Sequence, residues 1–201
     1  MKLIIMSKPT FFVEEDKILS TLFEEGLDKL HLYKPESSPL YSERLLSLLP
    51  TECYKSIKVH NHFYLKNEFN LGGIHIDNTE TAVPEGYKGH FGRTCNDINM
   101  LKAAKKKADY VFLKNIFDNP FRNETASFSM DTIKQAARQG LIDKHVYALG
   151  GVTIDNIRQA KDMGFGGIVI CDDLWNKFDI HNELNYKELI TYFIKLRKAL
   201  S

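Results

Sequence analysis

Eight short runs of large and β-branched apolar residues, most of them separated by stretches of helical periodicity, leave few folds open to this chain. They span residues 3–6, 30–32, 57–59, 73–76, 88–91, 110–113, 146–149 and 167–170. Several are apolar throughout instead of alternating, the pattern of strands buried on both faces. Residues 153–163 form the clearest helix: Thr153 stands at the cap position, Ile154, Ile157 and Ala160 share a face, and Gly164 stops it. Residues 96–107 repeat the arrangement, with Ile98, Leu101 and Ala104 inward and three lysines in the last turn, where positive charge suits the helix dipole. Residues 129–139 and 186–199 are helical in the same way, whereas 78–86, polar and carrying Pro84 and Gly86, reads as a loop. Eight alternations in 201 residues, without a linker or a low-complexity stretch, predict one domain over residues 1–201. The fold class is α/β, a compact (β/α)8 TIM barrel, with an open doubly wound sheet as the alternative.

Composition narrows the partners. With 27 Lys+Arg against 26 Asp+Glu the formal net charge is +1, and the longest like-charged run is Lys105–Lys107. Such a chain has no electrostatic footprint for nucleic acid or an anionic membrane, so small molecules are the expected partners. Residues 3–6, followed by Lys8 and Pro9, are too few for a signal core and far below the roughly 20 residues of a membrane span, which predicts a cytoplasmic location. Cys53, Cys95 and Cys171 are odd in number and widely spaced, as free thiols of a reducing compartment are.

In either fold, ligands bind at the carboxyl ends of the strands. Polar clusters stand there: His60-Asn61-His62 after the third run, His75-Ile76-Asp77-Asn78-Thr79-Glu80 around the end of the fourth, Lys114 to Arg122 after the sixth, and Cys171-Asp172-Asp173-Leu174-Trp175 after the eighth. After the seventh comes Gly150-Gly151 before the helix start at Thr153, where backbone N–H groups and a helix terminus suit a phosphate; a plain tight turn is the alternative. His60, His62 and His75 invite a metal-site reading, against which stands His75 as a packed strand residue with the other two lining a pocket. Asp172 and Asp173 read as a metal-binding or catalytic pair, or as helix caps.

The order and spacing of these clusters resemble the thiamine phosphate synthase and TenI family over nearly the whole chain. Where that family has Gln-x-Arg-x-Lys at the end of its second strand, this chain has Leu30-His31-Leu32-Tyr33-Lys34, with Tyr33 in the place of the Arg and Pro35 in that of the Lys. Its Asn-Asp after the third strand is matched by His60-Asn61, and its Gly-Val-His-Leu-Gly-Gln by Gly73 to Asn78. Its Phe-x-Thr-x-Thr-Lys loop is matched by Phe117 to Arg122, and its Ile-Gly-Gly-Ile by Leu149 to Val152.

The resemblance implies a transferase that joins 4-amino-5-hydroxymethyl-2-methylpyrimidine diphosphate to a thiazole phosphate with release of diphosphate, using Mg²⁺. Asn61 falls at the place of the family's metal-binding Asp, and Glu80 at its second acidic ligand. Tyr33 replaces the family's Arg, and Lys34, beside Pro35, is placed to reach the same diphosphate. Arg122 replaces the loop lysine, with Asn119 and Phe121 at its threonines. His60, Lys34 and Arg122 are thereby expected in catalytic places. The expected substrate-binding residues are His31, Tyr33, Thr94, Asn96, Asn119, Gly150, Gly151, Cys171 and Asp172. The last two stand where the family's Ile-Ser holds the thiazole phosphate. The TenI branch implies a thiazole tautomerase instead; Asn96 stands at its catalytic His, leaving Cys95, His60 or His62 to move a proton. A barrel that binds thiamine precursors without turnover is a third implication, and the family suggests a homodimer.

Overall fold

The computed structural model describes residues 1–179 and 181–200. Eight parallel strands close into a barrel in sequence order: β1 Lys2–Met6, β2 Lys29–Leu32, β3 Ile57–Val59, β4 Gly73–Ile76, β5 Phe91–Cys95, β6 Tyr110–Leu113, β7 Val146–Leu149 and β8 Gly167–Ile170. Closure is made by β1 on β8, with Leu3 opposite Ile168 and Ile5 opposite Ile170. Around it run α1 Glu15–Glu24, α2 Pro39–Leu48, α3 Leu65–Glu68, α4 Leu101–Lys107, α5 Met130–Arg138, α6 Ile157–Asp162, α7 Asp172–Trp175 and α8 Glu183–Leu200. The (β/α)8 barrel is thus the architecture, and the open sheet is excluded. No helix is long and apolar enough to cross a membrane among the described residues.

The period of two along each strand divides the buried residues into two cores. Leu3, Ile5, Leu30, Leu32, Val111 and Leu113 face outward to the helices, in a cluster that includes Leu189, Phe193 and Leu196 of α8. Each such side chain contributes roughly 1.5–3 kcal/mol on leaving water. Ile4, Met6, Tyr110, Phe112, Tyr147 and Val169 face inward. Trp175 ties α7 to the barrel by donating its indole N–H to the Met6 carbonyl at 2.7 Å. It is a buried cover of the rim.

The fifth strand lies three to four residues later than the apolar pattern predicts. Residues 88–90 are loop, and the strand is Phe91-Gly92-Arg93-Thr94-Cys95. Its polar members are buried with partners: Arg93 donates from Nη1 to the Asn78 carbonyl at 3.0 Å, and Thr94 meets His75 Nε2 at 2.9 Å. Gly92 is required by packing, since a Cβ there would lie 2.1 Å from the Tyr110 ring. Helix starts follow the chemistry of caps. Thr153 forms a capping box with Asn156 around the 3₁₀ turn Ile154–Asn156 that leads into α6. Asp97 caps the 3₁₀ turn Ile98–Met100 by accepting from the Asn99 N–H at 2.8 Å.

Candidate functional site

At the carboxyl ends of the strands lies a pocket of about 150 Å³, lined by Tyr33, Asp77, Thr94, Lys114, Asn119, Arg122, Gly150, Gly151, Cys171 and Asp172 among others. The strands aim these groups by simple continuation: Tyr33 follows His31, Asp77 follows His75, and Lys114 follows Phe112, each two residues on and therefore on the same inward face.

One wall is the turn after β7. Gly150 and Gly151 have φ of 92° and 64°, and a Cβ on Gly151 would lie 2.4 Å from the carbonyls of Phe117 and Asp118. Only glycine tolerates both the sign of φ and this approach. Among the described residues the N–H groups of Gly151 and Val152 have no hydrogen-bond partner, so two donors at the turn are unclaimed. Lys114 is exposed at the pocket and has no ion pair among the described residues. Together these are the electropositive elements of the site.

Packed against this turn is a self-braced loop after β6. Asn119 and Glu124 pair through both backbone bonds, at 2.7 and 3.2 Å, so that Arg122 sits at the tip of a tight turn. Its guanidinium grips Asp172 with two bonds, Nε to Oδ2 at 2.6 Å and Nη2 to Oδ1 at 3.0 Å, and Asn119 adds an amide bond to Oδ2 at 2.8 Å. Arg122 is accordingly held above its usual range by Asp172. Cys171, between this pair and the barrel, is pushed up to about 12 by burial and by Asp172, so it remains a thiol and is no nucleophile. Cys95 is raised by burial as well.

Below the pocket the barrel interior holds a continuous polar chain. His60 Nδ1 lies 2.5 Å from Asp77, His60 Nε2 lies 2.8 Å from His31 Nδ1, and Tyr110 Oη lies 3.3 Å from both His31 Nε2 and His75 Nδ1. His75 Nε2 ends the chain on Thr94 at 2.9 Å. Burial, then the neighbouring His60, pushes His31 and His75 well down, while burial pushes Tyr110 up, so these three are uncharged. A carboxylate only accepts, and a neutral imidazole carries one N–H. With the Asp77 carboxylate as the terminal acceptor and one N–H on each ring, one polarity satisfies every bond. Thr94 donates to His75, His75 through Nδ1 to Tyr110, Tyr110 to His31, His31 through Nδ1 to His60, and His60 through Nδ1 to Asp77. Thr94 and Asp77 are the two ends, and both face the pocket.

The remaining sequence-predicted residues lie elsewhere. His31 and His60 are beneath the pocket, in the chain just described. Lys34 is 1% exposed and turned away, its ammonium held by Glu15 at 2.7 and 2.9 Å, by the Thr10 carbonyl at 3.0 Å, and over the Phe11 ring. Asn61 accepts from the Lys34 backbone N–H at 3.0 Å. Glu80 is exposed on the loop after β4, where its N–H and that of Thr81 close a turn on the Asn78 side chain. Asn96 is exposed beyond β5. The histidine cluster is His31, His60 and His75, with ligand atoms within 4.8 Å of one another. His62 is not in it, because its backbone turns left-handed at φ 52° and Nε2 meets the Ser37 carbonyl. All six ring nitrogens of the trio already have hydrogen-bond partners. Asp77 and Lys114 are pocket residues that the sequence reading left out of its site, although continuing the strand alternation by one step reaches both.

The profile described as thiamine monophosphate synthase matches residues 52–174. The thiamine-phosphate synthase of Actinobacillus succinogenes is 25% identical over 179 residues, covering 81% of this chain and 80% of its own. That of Lactococcus lactis is 23% identical over 150 residues, 71% and 68% of the two chains. The crystal structure of thiamine phosphate pyrophosphorylase from Bacteroides thetaiotaomicron superposes with a TM-score of 0.88 at 46% identity, over 99% of this chain and 97% of that one. The thiamine phosphate pyrophosphorylase of Pyrococcus furiosus, at 17% identity, shares the fold with a TM-score of 0.75 over 99% and 95%.

Proposed function

The chain belongs to the thiamine monophosphate synthase family, and from that premise we propose that the pocket joins an aminopyrimidine diphosphate to a thiazole phosphate and releases diphosphate. The observation that carries this reading is the meeting, at the carboxyl ends of the strands, of an unpaired ammonium, Lys114, with the unclaimed N–H groups of Gly151 and Val152. Both are groups that hold phosphoryl oxygens.

In this reading Lys114 takes the place of the cations that Tyr33 and Pro35 do not supply. It is the group that receives the diphosphate, because Lys34 is committed to Glu15 and Arg122 to Asp172. The turn at Gly150-Gly151 receives the thiazole phosphate. Asp172 stands beside that phosphate without bare repulsion, since Arg122 neutralises it across two bonds. Tyr33 and Thr94 flank the ring that reacts, and the work is positioning and charge stabilisation, with no side chain acting as acid or base.

Mg²⁺ is the cofactor of this reading, and the oxygen donors at these strand ends suit a hard dication. Asp77 lines the pocket with its side chain 40% exposed, and its orientation is fixed by His60. Glu80 follows on the same loop, exposed to solvent. Asn61 offers the lone pair that the Lys34 N–H leaves free. Asp77, which lines the pocket, would hold the ion, with Glu80 and Asn61, outside that lining, as the further donors the resemblance implies; the ion's chemistry when bound is to neutralise charge on the departing diphosphate.

The test is formation of thiamine phosphate, read as thiochrome fluorescence, from the two substrates with Mg²⁺ and again with EDTA. Product that appears only with Mg²⁺ and falls at least about tenfold in Lys114→Met supports the assignment. No product from folded protein that binds either substrate would overturn it.

A further inference from the structure

The opposite end of the barrel holds a larger cavity, of about 990 Å³, that the reaction does not use. At the amino ends of the strands a barrel is ordinarily plugged by apolar or mutually paired groups, since conservation there serves stability. Here five lysines line it: Lys2, Lys29, Lys55, Lys58 and Lys144. The carboxylates at the same mouth, Asp28 and Asp109, are oriented by backbone N–H groups, and Asp109 also lies 3.8 Å from His90 Nδ1. Asp28 Oδ2 accepts from the Leu3 N–H at 3.2 Å and Asp109 Oδ2 from the Phe91 N–H at 2.8 Å. Among the described residues none of the five lysines has a carboxylate within 4 Å.

Lys58 is the centre of this arrangement. It projects inward from the middle of β3 and is only 6% exposed. Its ammonium donates to the Gly72 carbonyl and to His90 Nδ1, the latter at 2.8 Å, and its third N–H has no partner among the described residues. The space for it is made by glycine: a Cβ on Gly73 would lie 2.8 Å from Nζ. A lysine buried among lysines, with no carboxylate within 4 Å and Asp109 acting on it only from farther off, is an expensive arrangement unless an anion completes it. Burial, then Lys29, with Lys2 and Lys66 adding to it against Asp109, brings Lys58 down to about 8, so the site gains most from a negative guest near neutral pH.

We infer that the amino-terminal mouth of the barrel is a second anion site, built around Lys58 with Lys29 and Lys2, that takes a phosphoryl group. Two or more oxygens of one compact anion match the free N–H of Lys58 and the ammonium groups around it, which a lone chloride would not. The group arrives either as inorganic diphosphate or on a nucleotide, and the exposed ring of His90, stacked on Tyr110 at the same mouth, offers a face for a base in the second case.

The experiment is equilibrium binding of inorganic diphosphate, and separately of ADP, to the full chain by calorimetry without Mg²⁺. Two diphosphate sites per chain are expected. Lys58→Met and Lys29→Met each weaken one of them at least about tenfold, while Lys114→Met weakens the other. ADP binding more tightly than diphosphate at the Lys58 site assigns the group to a nucleotide; the reverse assigns it to the free anion. One site, lost in Lys114→Met and unchanged in Lys58→Met or Lys29→Met, overturns the inference and leaves the carboxyl-end pocket untouched. Should Lys58→Met not fold, the ¹⁵Nζ shift of Lys58 in the unaltered protein decides. Its midpoint must rise when diphosphate is added, and a midpoint that stays put overturns the inference.

Discussion

Arg122 and Asp172, fifty residues apart, face each other across the mouth of the carboxyl-end pocket in a two-bonded pair of 2.6 and 3.0 Å. The pair places a neutralised carboxylate where the family resemblance puts a phosphate-binding serine. It also draws the guanidinium, 44% exposed at its side chain, away from a free role as clamp. Asp172→Asn is expected to release Arg122 and strengthen inorganic diphosphate binding at this pocket by about tenfold, the equivalent of roughly 1.4 kcal/mol. Calorimetry reads it directly. Weaker binding would mean that Asp172 serves to hold Arg122 in its working place.

Lys34 and Glu15 form the other ion pair of note, and it is a structural one. Burial outweighs the attraction for both partners, lifting the Glu15 carboxyl to about 7 and bringing Lys34 down. Removing one member of a buried pair strands the other, so Lys34→Met should cost about 3 kcal/mol in urea unfolding, much of it recovered in Lys34→Met with Glu15→Leu. Below the unfolding transition kcat/KM is expected to change by less than about twofold, because Lys34 does not line the pocket. A loss confined to kcat, without a shift in the urea midpoint, would return Lys34 to the diphosphate.

The interior chain from Thr94 to Asp77 makes a spectroscopic commitment. Long-range ¹H–¹⁵N correlation should find His31, His60 and His75 all protonated at Nδ1 and bare at Nε2, and a single Nε2–H among them would reverse the polarity. Asp77→Ala removes the acceptor that starts the order and leaves the buried His60 unsatisfied, which should cost about 1–3 kcal/mol. The same spectra in Asp77→Ala should show His60 as a tautomer mixture.

These relationships explain which parts of the molecule were legible in the sequence. Seven of the eight strands stand where their apolar runs lie, since the face each strand turns to the helices must be apolar. The fifth, Phe91–Cys95, was displaced because Gly92, Arg93 and Thr94 are not apolar; their reason for being buried is Tyr110, Asn78 and His75, distant in sequence. The place of the pocket was legible from topology, and Gly150-Gly151, Arg122 and Asp172 duly line it. Which charges are free was not. That Lys34 is consumed by Glu15, Arg122 by Asp172, and Lys114 by nothing among the described residues depends on approaches between elements that spacing along the chain does not encode. His62 fell out of its expected cluster for a local reason, a single left-handed residue, and His31 entered it from the neighbouring strand.

The amino-terminal mouth leaves a signature in stability against pH. Lys58 has its ordinary value near 10.5 when unfolded and about 8 when folded. Between those values the unfolded chain binds the proton that the folded chain has lost, so stability rises with pH through this window. Below about pH 8 both states hold the proton and the full penalty is present; above about 10.5 neither does and it is gone. The shift corresponds to at most about 3 kcal/mol. Urea unfolding of the unaltered protein and of Lys58→Met at pH 7.5, 9 and 10.5 isolates this lysine from the tyrosines that titrate beside it. The unaltered protein should gain on the variant as pH rises, and saturating diphosphate should flatten that gain by supplying at pH 7.5 the charge that the mouth lacks. Parallel curves in the absence of diphosphate would mean that Lys58 is charged at its ordinary value and compensated within the chain.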